Sequence, residues 1–373
     1  MRVAFAGGGT GGHLVPGLHL VERARGAEVG GPELSDLLWF TSGRGVEDRV
    51  LGDLDPGCEW ERVVLSMEPA GGGAPSLTRL MGKTPGALFE ARRALRRHRS
   101  DVLLGFGGFT ALPAALAARS LGVPVALLEI NAAPGKATRV LGPLAKVVFH
   151  AWRGTLPAAG AGARHRWVGA PVSPQISAVA SASEAERLEA RAALGFDPAR
   201  PLLLVLGGSQ GAKSLNAFIS AHADELSASG VQVLHQCGPG RSAEVARSAP
   251  GVRIVEYLAP VASALKAATF VLSRGGASTL AELAVGRRPA IVVPYPHHAD
   301  RHQERNAREL GGGVRVVADD ALDGRLTAEL IRLVGEGGAD ERRDMESALE
   351  ALAPADAALE LWRALEDLAA RRS

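Results

Sequence analysis

The chain has 373 residues, of which 46% are hydrophobic, and a formal net charge of +2. This length exceeds the usual size of one domain, so we expect two globular domains with separate cores. The near-neutral charge does not call for a nucleic acid partner, and no apolar run reaches the ~20 residues of a membrane span. Cys58 and Cys237 fit no metal or redox spacing, and Met1 leads almost directly into a strand. We therefore expect reduced thiols in a cytoplasmic protein without a signal peptide.

Short apolar runs alternate with helical segments along the whole chain. Strands are predicted at 2–6, 37–41, 62–65, 101–105, 124–128 and 146–150, then at 202–206, 231–235, 252–255, 269–272, 290–293 and 314–316. Helices are predicted at about 14–25, 46–52, 84–98, 110–121 and 135–142, then at 183–194, 212–228, 241–248, 260–267, 277–286, 300–311 and 326–336. This alternation is typical of α/β domains, each with a parallel, doubly wound sheet.

The boundary between the two domains is predicted at a segment rich in glycine and proline, 169–174. We expect a first domain over 1–168 and a second over 169–354. The C-terminal segment 355–373, with a helix at about 355–371, is expected to join the first domain. Residues 68–76 are expected to form a flexible loop.

A glycine turn, Gly7–His13 (GGGTGGH), separates the first strand from the first helix. Such a turn lets backbone N–H groups approach a ligand and points a helix N-terminus at it. His13 adds a titratable imidazole at the same place. Gly7, Gly9 and Gly12 also match the dinucleotide motif, but the second strand ends without the acidic residue that binds ribose. An NAD site is therefore disfavoured.

Two further loops of the first half carry polar or glycine residues behind strands: Gly105–Phe109 (GFGGF) and Glu129–Gly135 (EINAAPG). In a doubly wound sheet the loops after strands one, four and five meet at one crevice. We therefore expect five residues to lie close together there: His13, Gly107, Gly108, Glu129 and Asn131. Taken singly, each of them also fits an ordinary turn or helix cap.

The second half repeats the strand–glycine–helix pattern at Gly207–Ala212 (GGSQGA) and at Ser273–Glu282 (SRGGASTLAE). Glu282 lies in the second turn of its helix, where a carboxylate can accept hydrogen bonds from both hydroxyls of a ribose. A solvated helix glutamate is the alternative. A third segment, Asp300–Ala307, is polar and begins a helix beside a strand end. The histidines near it lack the four recognisable ligands of a structural zinc site, so we predict no metal.

A basic segment, 77–99, contains seven cationic residues interleaved with apolar ones. The basic residues are Arg79, Lys83, Arg92, Arg93, Arg96, Arg97 and Arg99, and the apolar ones include Leu77, Leu80, Met81, Leu88 and Phe89. One interpretation is a cationic amphipathic patch that rests on anionic lipid headgroups. The other is a solvated helix face with Leu88, Ala91 and Leu95 in the core, and the sequence favours neither.

Together these motifs resemble the MurG family, the peptidoglycan glycosyltransferases that make lipid II. The matching segments, in chain order, are Gly7–His13, Gly105–Phe109, Glu129–Gly135, Gly207–Ala212, Ser273–Glu282 and Asp300–Ala307. The resemblance implies a B-type glycosyltransferase fold of two Rossmann-like domains facing a cleft. It implies UDP-N-acetylglucosamine as donor in the second domain and undecaprenyl-diphosphate-linked muramoyl-pentapeptide (lipid I) as acceptor in the first. It also implies no cofactor and a peripheral position on the cytoplasmic face of the cell membrane.

The resemblance assigns roles to individual positions. The donor-binding residues are expected to be Thr10, Gly11, Gly12, Ser209, Gln210, Gly211, Arg274, Ala277, Glu282 and Gln303. The acceptor-binding residues are expected to be Gly107, Gly108 and Asn131, and the catalytic ones His13, Glu129 and Asn131. An inverting transfer needs a base that takes the proton of the acceptor's 4-hydroxyl. His13 is the first candidate for this base, with Glu129 as its rival.

The sequence departs from the family pattern at two notable positions, where Ser173 replaces an arginine and His302 replaces a glutamine. Three alternatives to lipid II synthesis therefore stay open at this point. The chain could be a transferase of the same fold with a glycolipid or small-molecule acceptor. It could be a UDP-sugar 2-epimerase, which needs no acceptor. It could also be a UDP-sugar-binding protein without catalysis.

Overall fold

The computed structural model describes residues 1–9, 11–26, 33–67, 77–157, 164–245, 249–297, 300–352 and 356–371, and for 77–83 only the helical backbone. Thr10 and the predicted loop at 68–76 lie outside the described residues. The chain divides into two compact units, one of Met1–Ser173 with Pro354–Ser373 and one of Pro174–Ala353. We call them unit 1 and unit 2.

Unit 1 is built on a parallel sheet with helices between its strands. Its strands are β1 (Arg2–Ala6), β2 (Asp36–Thr41), β3 (Glu59–Val64), β4 (Val102–Gly105), β5 (Val125–Glu129), β6 (Val147–His150) and β7 (His165–Trp167). Its helices are α1 (Gly11–Arg25), α2 (Gly45–Leu51), α3 (Leu77–His98), α4 (Ala111–Ser120), α5 (Lys136–Leu141) and α14 (Ala357–Ala370). The strand order is β3-β2-β1-β4-β5-β6-β7, and each neighbouring pair is parallel.

Helix α14 returns the end of the chain to unit 1. The Trp362 ring is fully buried, and its indole N–H donates to the carbonyl of Leu20 at 2.8 Å. Asp356 caps the start of α14 and pairs with Arg23 of α1 at 2.7 Å. The segment after β7 is also held by unit 1, since a ring nitrogen of His19 bonds to the carbonyl of Pro171 at 3.0 Å. This bond agrees with a unit 1 that extends to Ser173.

Unit 2 repeats the same design. Its strands are β8 (Leu202–Leu206), β9 (Gln232–Gln236), β10 (Val252–Val255), β11 (Phe270–Ser273), β12 (Ala290–Val292) and β13 (Val314–Val316), in the parallel order β10-β9-β8-β11-β12-β13. Its helices are α6 (Pro174–Ala180), α7 (Glu184–Ala193), α8 (Lys213–Ala228), α9 (Val261–Ala267), α10 (Ala277–Val285), α11 (His302–Arg308), α12 (Gly324–Val334) and α13 (Ala339–Glu350). Two parallel α/β sheets with Rossmann-like order confirm the predicted fold class.

The predicted strands match the observed ones closely because buried parallel strands are continuous apolar runs. Five elements differ from expectation. β7, α6 and α13 were not predicted, and α3 begins at Leu77 because its helix continues through Pro85. In place of a helix at 241–248 the described residues form only a 3₁₀ turn at Ser242–Glu244. No helix in the described ranges has the length and apolar content needed to cross a bilayer.

Candidate functional site

The loops that the sequence singled out leave the sheets at the carboxyl ends of neighbouring strands. In unit 1, β1 pairs with β4 and β4 with β5, so the loops after Ala6, Gly105 and Glu129 share one edge. In unit 2, β8 pairs with β11 and β11 with β12, so the loops after Leu206 and Ser273 also share an edge. This is the edge at which doubly wound sheets bind ligands.

The glycine turn after β1 packs too closely for side chains. A Cβ on Gly7 would lie 2.7 Å from the carbonyl oxygen of His13, and a Cβ on Gly8 would lie 2.5 Å from a carboxylate oxygen of Glu47. Gly9 has a φ of +84°, which favours glycine. Gly11 and Gly12 then form the first turn of α1. The turn therefore places the backbone of α1 where a ligand can approach it.

His13 is held by the same turn. Its Nδ1 lies 3.1 Å from the carbonyl oxygen of Gly8. A carbonyl only accepts hydrogen bonds, so Nδ1 carries the proton and Nε2 is the basic nitrogen of the neutral ring. The ring lies against the glycine turn after β4, since a Cβ on Gly107 would be 3.2 Å from Nε2 and one on Gly108 3.3 Å from Nδ1. Both of these glycines have positive φ. The structure thus brings His13, Gly107 and Gly108 together as expected.

Glu129 is buried, and its carboxylate is occupied by its own loop. Oε1 accepts from the Asn131 backbone N–H at 3.0 Å and from its side-chain amide at 3.4 Å. Oε2 accepts from the Gly135 N–H at 2.8 Å and from the Thr138 hydroxyl at 2.5 Å. A carboxylate with these donors is a poor candidate for a base, so the geometry favours His13. Glu129 instead fixes the loop that presents Asn131.

Sequence reasoning missed Glu47, which reads as an ordinary acidic residue at the start of a short helix. The structure buries it completely. Its oxygens accept hydrogen bonds from the N–H groups of Gly9 at 2.8 Å, Ser42 at 2.9 Å and Gly43 at 2.7 Å, and from the Ser42 hydroxyl at 2.6 Å. Burial alone raises the pKa of Glu47, but these hydrogen bonds outweigh it and lower the pKa. No local pattern distinguishes this residue in the sequence.

The glycine turn after β8 in unit 2 also depends on close backbone contact. Gly211 has a φ of +71°, and a Cβ there would lie 1.9 Å from the carbonyl oxygen of Cys237. Ser209 and Gln210 are exposed at its tip. Helix α8 follows with Ala212 as its N-cap residue and no side-chain cap. Its first N–H groups are therefore available to an anion.

Arg274 follows β11, and its guanidinium is bound by the protein itself. It donates to the carbonyl of Val293 at 2.9 Å, to Asp319 at 2.5 Å and to the Ser214 hydroxyl at 2.6 Å. Ser214 in turn donates to Asp319 at 2.7 Å. Since Ser214 lies in the first turn of α8, Arg274 links the loop after β11 to the start of that helix. This arrangement positions the α8 N-terminus.

Gln303, in the first turn of α11, connects two neighbouring loops through hydrogen bonds to its amide oxygen. That oxygen accepts from the N–H groups of Gly275 at 3.2 Å and Tyr295 at 2.9 Å. Its amide nitrogen has no hydrogen-bond partner among the described residues, so it can donate to a ligand. A Cβ on Gly275 would lie 2.4 Å from the Gln303 carbonyl oxygen, which explains the glycine at that position.

Glu282 extends from the second turn of α10, which begins at Ala277 with Gly276 as an N-cap residue that offers no side chain. No group in the described part of the chain donates a hydrogen bond to its carboxylate. Burial raises the pKa of Glu282 from 4.5 to about 8. The side chain is nevertheless partly exposed, and a desolvated carboxylate that lacks a protein donor and stays accessible is typical of a ligand-binding position.

The basic segment has two different faces on α3. Ala91 and Leu95 are buried in the core of unit 1, and Leu88 packs against that core. On the other face, Phe89 is 71% exposed beside the exposed Arg93. Arg96 and Arg97 continue this exposed face. The expected core stripe is therefore present. The contact of the exposed basic face with lipid headgroups stays a prediction.

Within the described ranges, no cluster of three His, Cys, Asp or Glu side chains is arranged to hold a metal ion. His302, beside the predicted sugar-contact residue, pairs with Asp300 at 2.8 Å.

Comparison with known proteins gives a consistent result. Residues 3–150 match the glycosyltransferase family 28 N-terminal domain, and residues 202–357 match the glycosyltransferase family 28 C-terminal domain. The UDP-N-acetylglucosamine--N-acetylmuramyl-(pentapeptide) pyrophosphoryl-undecaprenol N-acetylglucosamine transferase of Sorangium cellulosum is 35% identical, over 99% of this chain and 89% of its own. The transferase of the same name from Nocardioides sp. is 37% identical, over 99% and 98%.

Solved structures agree with this grouping. The crystal structure of MurG from Acinetobacter baumannii has a TM-score of 0.69 and 25% identity, over 98% of both chains. A UDP-GlcNAc 2-epimerase from Neisseria meningitidis has a TM-score of 0.65 at 14% identity, over 100% of both chains. At that identity the second likeness shows a common fold alone.

Proposed function

The chain belongs to glycosyltransferase family 28 and, within it, to the MurG transferases, and we propose that it performs their reaction with the residues described above. It is an inverting glycosyltransferase that moves N-acetylglucosamine from UDP-N-acetylglucosamine to the 4-hydroxyl of the muramoyl sugar of lipid I. The product, lipid II, serves peptidoglycan synthesis and so cell-wall biogenesis, cell shape and cell division. The observation that carries this conclusion is the 35% and 37% identity to relatives named for this reaction, over 99% of the chain.

His13 is the proposed general base. In the transfer, the acceptor's 4-hydroxyl oxygen forms a bond to the anomeric carbon of the donor sugar, and the bond from that carbon to the UDP oxygen breaks. The hydroxyl proton must leave as the oxygen attacks, and Nε2 of His13 is the basic nitrogen because Nδ1 donates to Gly8. His13 therefore accepts the proton, and UDP leaves with the electron pair of the broken bond.

The donor nucleotide is proposed to bind unit 2. The first N–H groups of α8, with Ser209 and Gln210 at the turn before it, would hold the diphosphate and stabilise the charge that develops on departing UDP. Arg274 acts through Ser214 by fixing the start of α8. No step of this assignment needs a metal ion.

The donor's ribose and sugar are proposed to contact α10 and α11. The Glu282 carboxylate would accept hydrogen bonds from both ribose hydroxyls, which supplies the donors that the protein does not. The amide nitrogen of Gln303 would donate to the sugar, and Ala277 and Gly211 would line the pocket. Gly11, Gly12 and Thr10 stay predicted donor contacts.

The acceptor is proposed to bind the edge of unit 1 where His13 lies. Gly107 and Gly108 lie against the imidazole on one side, and the absence of a Cβ at each leaves room for this ring. Asn131 would bind the acceptor, in an orientation that Glu129 fixes through two hydrogen bonds. Glu129 is thus a positioning residue in this proposal.

We also propose that the exposed face of α3 contacts the cytoplasmic face of the cell membrane. An aromatic side chain among arginines suits an interface between anionic headgroups and acyl chains. Phe89, Arg93, Arg96 and Arg97 provide this combination. The lipid part of the acceptor would then stay in the membrane while its sugar reaches the enzyme.

The decisive assay is the transfer of radiolabelled N-acetylglucosamine from its UDP donor to a soluble lipid I analogue. Acceptor-dependent product with this donor, and much less with UDP-glucose, is the expected result. A reaction without acceptor that changes the sugar's configuration would instead identify a 2-epimerase. Binding of the donor without turnover on any acceptor would contradict the transferase assignment.

A further inference from the structure

One peptide group connects Glu47 to His13. The N–H of Gly9 donates to Oε1 of Glu47 at 2.8 Å. The carbonyl oxygen of Gly8 accepts from Nδ1 of His13 at 3.1 Å. This N–H and this carbonyl belong to the same planar Gly8–Gly9 peptide unit. A carboxylate, a peptide and an imidazole therefore form one continuous chain of hydrogen bonds.

The carboxylate at the far end of this chain is held in its charged form. The pKa of Glu47 is lowered because several donors outweigh the effect of its burial, and Arg62 adds a guanidinium to Oε2 at 2.9 Å. The closeness of the carboxylate requires a glycine at position 8, since a Cβ there would lie 2.5 Å from Oε1. The turn is thus built to receive a buried negative charge.

A negative charge at the N–H of a peptide polarises the whole amide group. The Gly8 carbonyl oxygen becomes a stronger acceptor, and hydrogen bonds in such chains strengthen one another. A stronger acceptor at Nδ1–H favours the charged imidazolium and thus makes Nε2 more basic. The effect is largest when Nε2 takes a proton, because the ring then carries a positive charge.

We propose that Glu47 orients and activates His13 through the Gly8–Gly9 peptide, in the role that a directly bound carboxylate has in other catalytic histidine sites. Glu47 fixes the Nδ1–H tautomer by holding the peptide, and it stabilises the imidazolium that forms as the acceptor hydroxyl is deprotonated. It is a positioning residue, because it does not touch substrate. The inference rests on His13 being the base of the proposed function.

Other charged groups near this turn determine which control variant is suitable. Among the described residues, those recorded around it are Arg44, which donates to the Gly9 carbonyl at 3.3 Å, Asp48, which pairs with Arg62, and Arg62 itself. Glu129 follows β5 on the neighbouring loop. Removing Arg62 takes away a positive charge and leaves the bond from Gly9 to Glu47 in place, so it acts in the opposite sense to removing the charge of Glu47.

The first test measures the pKa of His13 in the full chain without ligands, by NMR titration of labelled histidine. The His13 signal is assigned by its loss in His13→Gln. Glu47→Gln is expected to lower the pKa of His13 by about 0.5 to 1 unit, because a nearby negative charge is lost. Arg62→Met, the matched control, is expected to leave this pKa unchanged or raise it. An unchanged pKa in Glu47→Gln, or an equal fall in both variants, overturns the proposal.

The second test uses turnover. Glu47→Gln is expected to lower kcat about tenfold or more with little change in the donor KM, as the loss of a group behind a reacting residue does. In a His13→Ala background the same substitution should change kcat little, because the two residues act as one unit. An equal loss of kcat in both backgrounds would mean that Glu47 only stabilises the fold.

If Glu47→Gln does not fold, Glu47→Asp provides the decision. Its shorter side chain keeps the charge but loosens the bond to the Gly9 N–H, so a folded variant with a lowered His13 pKa supports the proposal and one with an unchanged pKa overturns it. The proposed function fails separately, if His13→Ala keeps normal transfer activity. The NMR shift does not depend on that outcome.

Discussion

Glu282→Gln tests whether a residue proposed for donor binding is kept at a cost in stability. Burial raises the pKa of Glu282 from 4.5 to about 8 in the folded protein. Between these two pH values the folded chain holds a proton that the unfolded chain has lost, so the free energy of unfolding falls as pH rises through this window. Below pH 4.5 both states are protonated, and above about pH 8 both are charged and the full penalty is present.

The size of the effect follows from the pKa. Each pKa unit corresponds to about 1.4 kcal/mol, so the penalty at pH 7 is at most about 3.5 kcal/mol, and partial exposure of the side chain reduces it. Glutamine keeps the shape of the side chain without the charge. Glu282→Gln should therefore have a free energy of unfolding about 1 to 3 kcal/mol higher than the wild type at pH 7 to 8, seen as a higher denaturant midpoint. This difference should disappear near pH 4.5. Glu225→Gln, at an exposed position on α8, should change stability by less than about 0.5 kcal/mol.

Binding of UDP should change in the opposite direction. Loss of charge-assisted hydrogen bonds to the ribose is expected to weaken UDP by about 1.5 to 3 kcal/mol, or about tenfold to a hundredfold, in isothermal titration calorimetry. In the wild type, affinity should rise with pH towards about 8, since the carboxylate accepts from both hydroxyls only when ionised. Equal stability of Glu282→Gln and wild type at pH 8, or unchanged UDP affinity, would refute this reasoning.

Three further outcomes are expected. Gly211→Ala should lower the free energy of unfolding in urea by about 2 to 4 kcal/mol and remove most UDP binding, because its Cβ would meet the Cys237 carbonyl. The control Gly230→Ala also has a positive φ but has open space around it, so its free energy of unfolding should fall by only about 1 kcal/mol. Glu129→Gln should lower the free energy of unfolding by about 1 to 3 kcal/mol, and it should lower kcat without shifting the pH dependence of kcat. A shift in that pH dependence would instead support Glu129 as the base. Phe89→Ser should weaken sedimentation with anionic vesicles and leave transfer to a soluble acceptor unchanged; equal vesicle binding would exclude Phe89 as a contact.

The sequence predicted the fold because most strands are buried on both faces. β1 and β8 are continuous apolar runs that end in glycines, and each is followed by a helix, so their bounds were predicted without error. β7 was missed because its residues are polar and only partly buried. The predicted start of α3, at 84, was too late, because Pro85 is typical of a helix start, whereas the helix continues on both sides of this proline.

The candidate site was predicted less completely, because roles depend on partners that are distant in sequence. Arg274 was expected at the donor and stays a prediction there, but its ion pair with Asp319, in the turn after β13, could not be read from the sequence. Glu47 carried no local signal, since it reaches Gly9 only because β2 lies beside β1. A glycine turn can be recognised in a sequence. The sequence does not show which distant side chain packs against the glycine where a Cβ would otherwise lie, as Glu47 does at Gly8.

Two glutamates of this chain show how environment separates positioning from ligand binding. Glu47 is fully buried, but its hydrogen-bond donors outweigh burial and lower its pKa, so its charge is used inside the protein. Glu282 is partly buried without any described hydrogen-bond donor, and desolvation raises its pKa to about 8. An ionised carboxylate without a protein partner costs stability, and we therefore propose that a ligand supplies the hydrogen bonds that stabilise the charged form of Glu282. By the same argument the hydrogen-bonded carboxylate of Glu129 resembles that of Glu47, which is why we propose His13 rather than Glu129 as the base.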